Sequence, residues 1–115
     1  MKKLISTAAL LFVTFIGFAQ KPSPALLSPT NHTLVLIDYE SQMAFAVGST
    51  PIDQLRNNTA LVAGASKIFK VPTIVTTVAE KSFSGPVFRE VEEFYPQKTS
   101  NYIDRTSMNT WEDVP

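Results

Sequence analysis

Leu34-Val35-Leu36-Ile37-Asp38 is the stretch that decides the fold: four apolar residues without a polar interruption, stopped by a carboxylate. A strand wetted on one face alternates apolar and polar residues, whereas a parallel strand covered on both faces reads as a continuous apolar run. The pattern predicts a buried parallel strand over 34–37. Downstream, Thr73-Ile74-Val75-Thr76-Thr77-Val78 is β-branched throughout and predicts a second strand; Tyr102-Ile103 predicts a short third. Between the first two, Thr50-Pro51-Ile52-Asp53 has the form of a helix start. Thr50 is the expected N-cap, Pro51 the first helical residue, and Asp53 lies at the positive end of the helix dipole. Ile52, Leu55, Thr59, Val62, Ser66 and Phe69 then recur three or four apart, a mostly apolar face running to about Lys70. Gly85-Pro86 opens a second helix through Val87, Val91 and Phe94, closed before Pro96. Strand, helix, strand, helix, strand at these spacings suits parallel crossovers and predicts an α/β layered fold.

Composition narrows what such a fold does. The chain has 115 residues, with 10 basic against 10 acidic side chains and no cysteine. Within these residues there is therefore no disulfide framework, thiolate metal site or thiol nucleophile. An apolar fraction of 44% with 17% charged residues suits a globular chain and argues against a disordered or charged tail. Zero formal charge, with no basic cluster beyond Lys2 and Lys3, leaves no electrostatic footprint for nucleic acid. A small-molecule substrate or another protein chain is the expected partner. His32 is the single histidine and precedes the first strand, so no metal site and no cofactor is expected. Ser82-Phe83-Ser84-Gly85 and Ala63-Gly64-Ala65 lack the repeated glycines of phosphate loops.

Residues 1–19 have the order of a secretory signal peptide: Lys2 and Lys3, an uncharged stretch from Leu4 to Phe18, and small residues at Gly17 and Ala19. That stretch falls short of the roughly 20 residues that span a bilayer, so export without stable membrane anchoring is expected. Residues 20–30 hold three prolines and form an expected Pro-rich linker, and the domain is expected to occupy 31–115. Three strands and two helices cover only part of one doubly wound sheet, and Trp111 to Pro115 stop where another helix should begin. Residues 31–115 are thus expected to be the N-terminal half of a domain.

In open parallel sheets, ligands bind beyond the carboxyl ends of the strands. Asp38, Glu80 and Arg105 fall there, after the first, second and third strands. Asp38 is either a strand-terminating acid or a general base, partly desolvated and tuned by a nearby cation. Glu80 is either a candidate in the site or a solvated loop residue. Arg105 accepts no proton, which leaves it three roles: orienting Asp38, stabilising developing negative charge, or pairing structurally. Phe45, Phe83 and Trp111 are either pocket walls or core.

These residues resemble the isochorismatase-like cysteine hydrolases, and most closely the YcaC-related branch. The resemblance rests on Leu34 to Glu40 (LVLIDYE), on Val71 to Glu80 (VPTIVTTVAE) and on Tyr102 to Trp111 (YIDRTSMNTW), with Asn57-Asn58 between the first two. It implies a three-layer doubly wound parallel sheet and a triad of Asp, a Lys or Arg, and a nucleophilic Cys acting on an amide-like or related bond of a small molecule. Carried over, Asp38 matches the acid that activates the thiol and Arg105 the basic member. Glu80, Asn109 and Trp111 are the substrate-binding candidates. The nucleophile of relatives follows the next strand and has no counterpart among these residues, so the 115 residues alone are expected to be inactive. The resemblance also implies a homo-oligomer for the complete protein. The alternative is a non-catalytic remnant or a binding or oligomerisation module that keeps the family's sheet.

Overall fold

The structure, a computed structural model, describes residue 23 and residues 25–113. The expected signal peptide and the first residues of the linker lie outside the described residues. Three parallel strands form one sheet in the order β1-β2-β3, with β1 at Leu34–Ile37, β2 at Thr73–Val78 and β3 at Asn101–Arg105. The register runs from Leu34 opposite Thr73 to Ile37 opposite Thr76, and from Ile74 opposite Asn101 to Val78 opposite Arg105. The β-branched segment is the central strand, and all of it except Ile74 is buried. Stiff χ1 angles suit this position.

Helix α1 (Ile52–Ile68) and helix α2 (Arg89–Glu92) lie on one side of the sheet. Side chains alternate along a strand, so Leu36 and Val75, opposite each other, point to the same face. They meet Ala63 of α1 and Val91 of α2 in a core that also takes in Ala44, Val87, Phe88 and Tyr95. The other face carries Val35, Ile37, Ile74 and Ile103. Among the described residues no helix covers it, and Ile37 is 44% exposed. The expectation that β1 is covered on both faces therefore fails for its last residue, and the described residues form an incomplete α/β fold with one face of the sheet layered.

Two boundaries and one packing face differ from the sequence pattern. Pro51 itself caps α1, in an extended conformation and without a side-chain cap, so Thr50 is not the N-cap and the helix begins at Ile52; Asp53 stays in the first turn. The packing face of α1 is also displaced. Thr59, Ala63, Gly64 and Ser66 are buried, while Val62 and Phe69 are exposed. Small residues win because the ring of Phe94 lies 3.2 Å from where a Cβ on Gly64 would stand. Thr59 and Ser66 tolerate burial by bonding back to the carbonyls of Leu55 (2.8 Å) and Ala63 (2.9 Å). Finally, Pro86 does not open the second helix. Val87 instead pairs with Glu40 in an antiparallel bridge, and α2 starts at Arg89.

Candidate active site

The carboxyl ends of β1, β2 and β3 carry the chemistry-bearing residues. Asp38 follows β1 directly and still donates its backbone N–H to Thr76 O at 2.9 Å, continuing the ladder by one bond. Its φ of 56° then turns the chain away, a left-handed conformation that Asp adopts more readily than most residues. Ala79 makes the same turn after β2, at φ 52°, with its N–H on Arg105 O at 2.9 Å. For alanine that conformation is strained, and strain of this kind collects at functional sites.

Arg105 ends β3, and its side chain crosses the end of β2 to reach Asp38. The guanidinium is buried: Nε donates to Thr76 Oγ1 at 2.7 Å and Nη1 to Ser107 O (3.0 Å) and Met108 O (3.1 Å). Nη2 donates to Asp38 Oδ1. These four bonds use four of the five N–H groups of an arginine and fix the plane of the fork. This geometry fits both orienting Asp38 and structural pairing among the roles open to Arg105. The Asp38 side chain is 23% exposed, and its Oδ2 takes no hydrogen bond among the described residues. It borders a cavity of about 230 Å³ whose walls include Tyr39, Met43, Val47, Leu55 and Phe88. The pair thus presents a carboxylate, one oxygen held by a buried cation, at the edge of an apolar cavity.

The remaining sequence candidates sit apart from this pair. Glu80 takes a bond from Gln97 Nε2 at 3.3 Å, and its backbone N–H goes to Asp104 Oδ1 at 3.1 Å. Asn109 is used within its own loop, with Nδ2 on Glu112 at 2.9 Å and Oδ1 capping the Trp111 N–H at 3.1 Å. Trp111 is 81% exposed. Phe45 and Phe83, also exposed, face a second apolar cavity of about 610 Å³ with Met43, which borders both cavities. Among the described residues, His32 bonds only to the Ser28 carbonyl. No group of three or more His, Asp or Glu side chains able to hold a metal ion occurs among the described residues.

Sequence reasoning missed two structural supports. Asp113 folds the loop after β3 back on itself, accepting bonds from Thr106 and Ser107. Those bonds, from Ser107 first, hold its carboxyl below the usual value. Glu40 is fully buried two residues beyond Asp38, with Oε2 on the Val78 N–H at 3.1 Å and Oε1 without a partner. Burial, with Asp38, Asp104 and Glu80 nearby, pushes its carboxyl up from 4.5 to about 7, against the pull of the Val78 N–H. A charged residue in a loop ordinarily signals solvent, so no sequence pattern marked it.

Comparison with known proteins gives one line of kinship. No family model matches the chain. A probable hydrolase YcaC of Escherichia coli (strain K12) is 27% identical over 88 residues, 76% of this chain and 41% of the relative. The crystal structure of the Escherichia coli YcaC product, an octameric hydrolase of unknown specificity, aligns with a TM-score of 0.64 at 31% identity. It covers 76% of this chain and 41% of that one. YcaC from Pseudomonas aeruginosa, solved with hexane-2,5-diol and covalent acrylamide, aligns with the same TM-score at 30% identity, over 76% of this chain and 42% of its own. The chain thus spans about two-fifths of the length of these relatives.

Proposed function

The chain is homologous to the N-terminal part of the YcaC-type hydrolases, within the isochorismatase-like family, and on that premise we propose that it supplies the acid–base half of a cysteine-hydrolase site. The observation that carries this reading is the ion pair of Asp38 with the buried Arg105 at the carboxyl ends of β1 and β3. The nucleophilic thiol comes from sequence that follows Pro115. A free thiol ionises near pH 8.5 and needs help at neutral pH. Asp38 Oδ2 takes the thiol proton, while Arg105, holding Oδ1, keeps the carboxylate in place. The thiolate attacks the carbonyl carbon of a small amide-like substrate. The proton on Asp38 then passes to the leaving nitrogen, and water splits the acyl-enzyme and restores the thiol. The substrate is a small molecule, since the cavity beside Asp38 holds about 230 Å³.

Two further parts of this reading concern the whole protein. Residues 1–19 direct export, and the complete protein assembles as a homo-oligomer, as its octameric Escherichia coli relative does. The test begins with the coding sequence downstream of the Pro115 codon, expressed as one continuous product. Turnover of small amides, lost in Asp38→Ala, is the expected result. A downstream frame without a Cys, or turnover that survives Asp38→Ala, overturns the reading and leaves the binding-module alternative.

A further inference from the structure

Glu40 is the one fully buried carboxyl group in the described residues, and the Asp38–Arg105 pair makes no direct bond to it. Its surroundings tie three segments together. Its Oε2 accepts the Val78 N–H at the end of β2, and its backbone bridges Val87. On either side of it, Ser41 N–H bonds to Pro86 O (2.9 Å), Gln42 N–H to Ser84 O (3.1 Å), and Phe88 N–H to Tyr39 O (2.7 Å). The turn that holds Asp38 is thus fastened through Glu40 to β2 and to the segment entering α2.

An ionised carboxylate does not sit at zero exposure with one oxygen empty, because each unpaired lone pair forgoes its water and receives nothing in return. Oε1 of Glu40 has no partner, and neither has the buried Ser84 Oγ of the segment bonded to the next turn. The charged groups facing Glu40 are Asp38 on its own loop, Glu80 beyond β2 and Asp104 on β3, all carboxylates. Arg105, the cation paired with Asp38, directs its donors to Asp38, Thr76 and two carbonyls and none to Glu40.

We propose that Glu40 is a positioning residue that holds the Asp38 turn in place as a neutral, protonated carboxyl group, and that its ionisation loosens the Asp38–Arg105 pair. Uncharged, Glu40 leaves the Val78 bond and the Val87 bridge intact. Charged, it draws water towards Oε1 and repels Asp38 across the turn they share. The direction of the Glu40 shift, up to about 7 and caused chiefly by burial, agrees with this geometry. The inference rests on Asp38 being the base, but it is read without turnover, so an inactive protein does not affect it.

The experiment is a carbon-detected NMR titration of the carboxyl groups and of the Arg105 Nε–H in the protein and in Glu40→Gln, between about pH 5.5 and about pH 8.5. In the wild type, Glu40 is expected to titrate near neutrality, and the Asp38 carboxyl and Arg105 Nε signals to shift with the same midpoint. In Glu40→Gln both signals are expected to stay flat. Titration of Glu40 in the ordinary carboxylate range, unmoved Asp38 and Arg105 signals in the wild type, or the same shift in Glu40→Gln each overturns the proposal. Should Glu40→Gln not fold, the shared midpoint in the wild type decides alone.

Discussion

Replacing Glu40 by Gln keeps the side-chain shape and the acceptor for Val78 N–H while removing the charge, and its effect on stability follows from the burial. Burial pushes the folded carboxyl up to about 7, against 4.5 for a solvated one. At about 1.4 kcal/mol per pH unit, ionising this group in the folded state costs up to about 3 kcal/mol above neutrality. Between about pH 4.5 and about pH 7 the folded chain keeps a proton that the unfolded chain releases. Stability of the wild type therefore falls as pH rises through that window and levels off above it. Glu90, where burial is outweighed by the Arg56 bond, and Asp113 are both shifted down and act at lower pH with the opposite sign. The amide of Gln brings one new unpaired N–H, a loss of about 1 kcal/mol at any pH. Glu40→Gln is therefore expected to be about 2 kcal/mol more stable than the wild type at about pH 8, and equal or slightly weaker at about pH 4.5. Urea unfolding followed by circular dichroism across this range measures the difference. A variant less stable than the wild type at pH 8, or parallel pH profiles for the two, would refute the reasoning.

Other perturbations test the rest of the site. Arg105→Lys exchanges a fork with four bonds for a point charge and leaves Thr76 and two carbonyls without their donor; a loss of about 3 kcal/mol in chemical denaturation is expected. Thr76→Val keeps the volume but strips the acceptor from Arg105 Nε, and is expected to cost about 1 to 3 kcal/mol by the same assay. Gly85 has φ +73° and its missing Cβ would stand 2.9 Å from Ser41 Oγ; Gly85→Ala is expected to destabilise by about 1 to 3 kcal/mol and to shift the Ser41 and Gln42 amide signals. In a continuous product that carries the thiol, Asp38→Asn is expected to lower kcat/KM at least about 100-fold and to lower the melting temperature as well, because the buried Arg105 loses its counter-charge.

The parts of the fold legible in the sequence are those where one residue type suffices. Leu34 to Ile37 and the β-branched 73–78 segment have few places to go other than a packed strand, and the carboxylate at 38 marks where the strand must stop. The positions of Asp38 and Arg105 at strand ends are legible in the sequence, and the structure brings the two into contact across β2. What pattern could not give depends on neighbours. Val62 and Phe69 continue an apolar period, yet Ala63, Gly64 and Ser66 face the core because Phe94 and Tyr95 approach there. Thr76 looks like an ordinary strand residue until a guanidinium arrives from β3. Glu40 carries a charge that normally signals water, and only the closure of Val87 and Val78 around it removes the water.

Asp38 and Arg105 stand 67 residues apart in the chain. Bringing such distant points together costs on the order of 4 kcal/mol of loop-closure entropy, which neither strand recovers until β2 lies between them. The pair is therefore expected to be a late contact in folding, made after both parallel registers are set. A slip of β3 by one residue would send Arg105 to the opposite face of the sheet and leave Asp38 without its clamp. The ion pair is in this sense a checkpoint: its formation reports that all three strands have reached their native alignment.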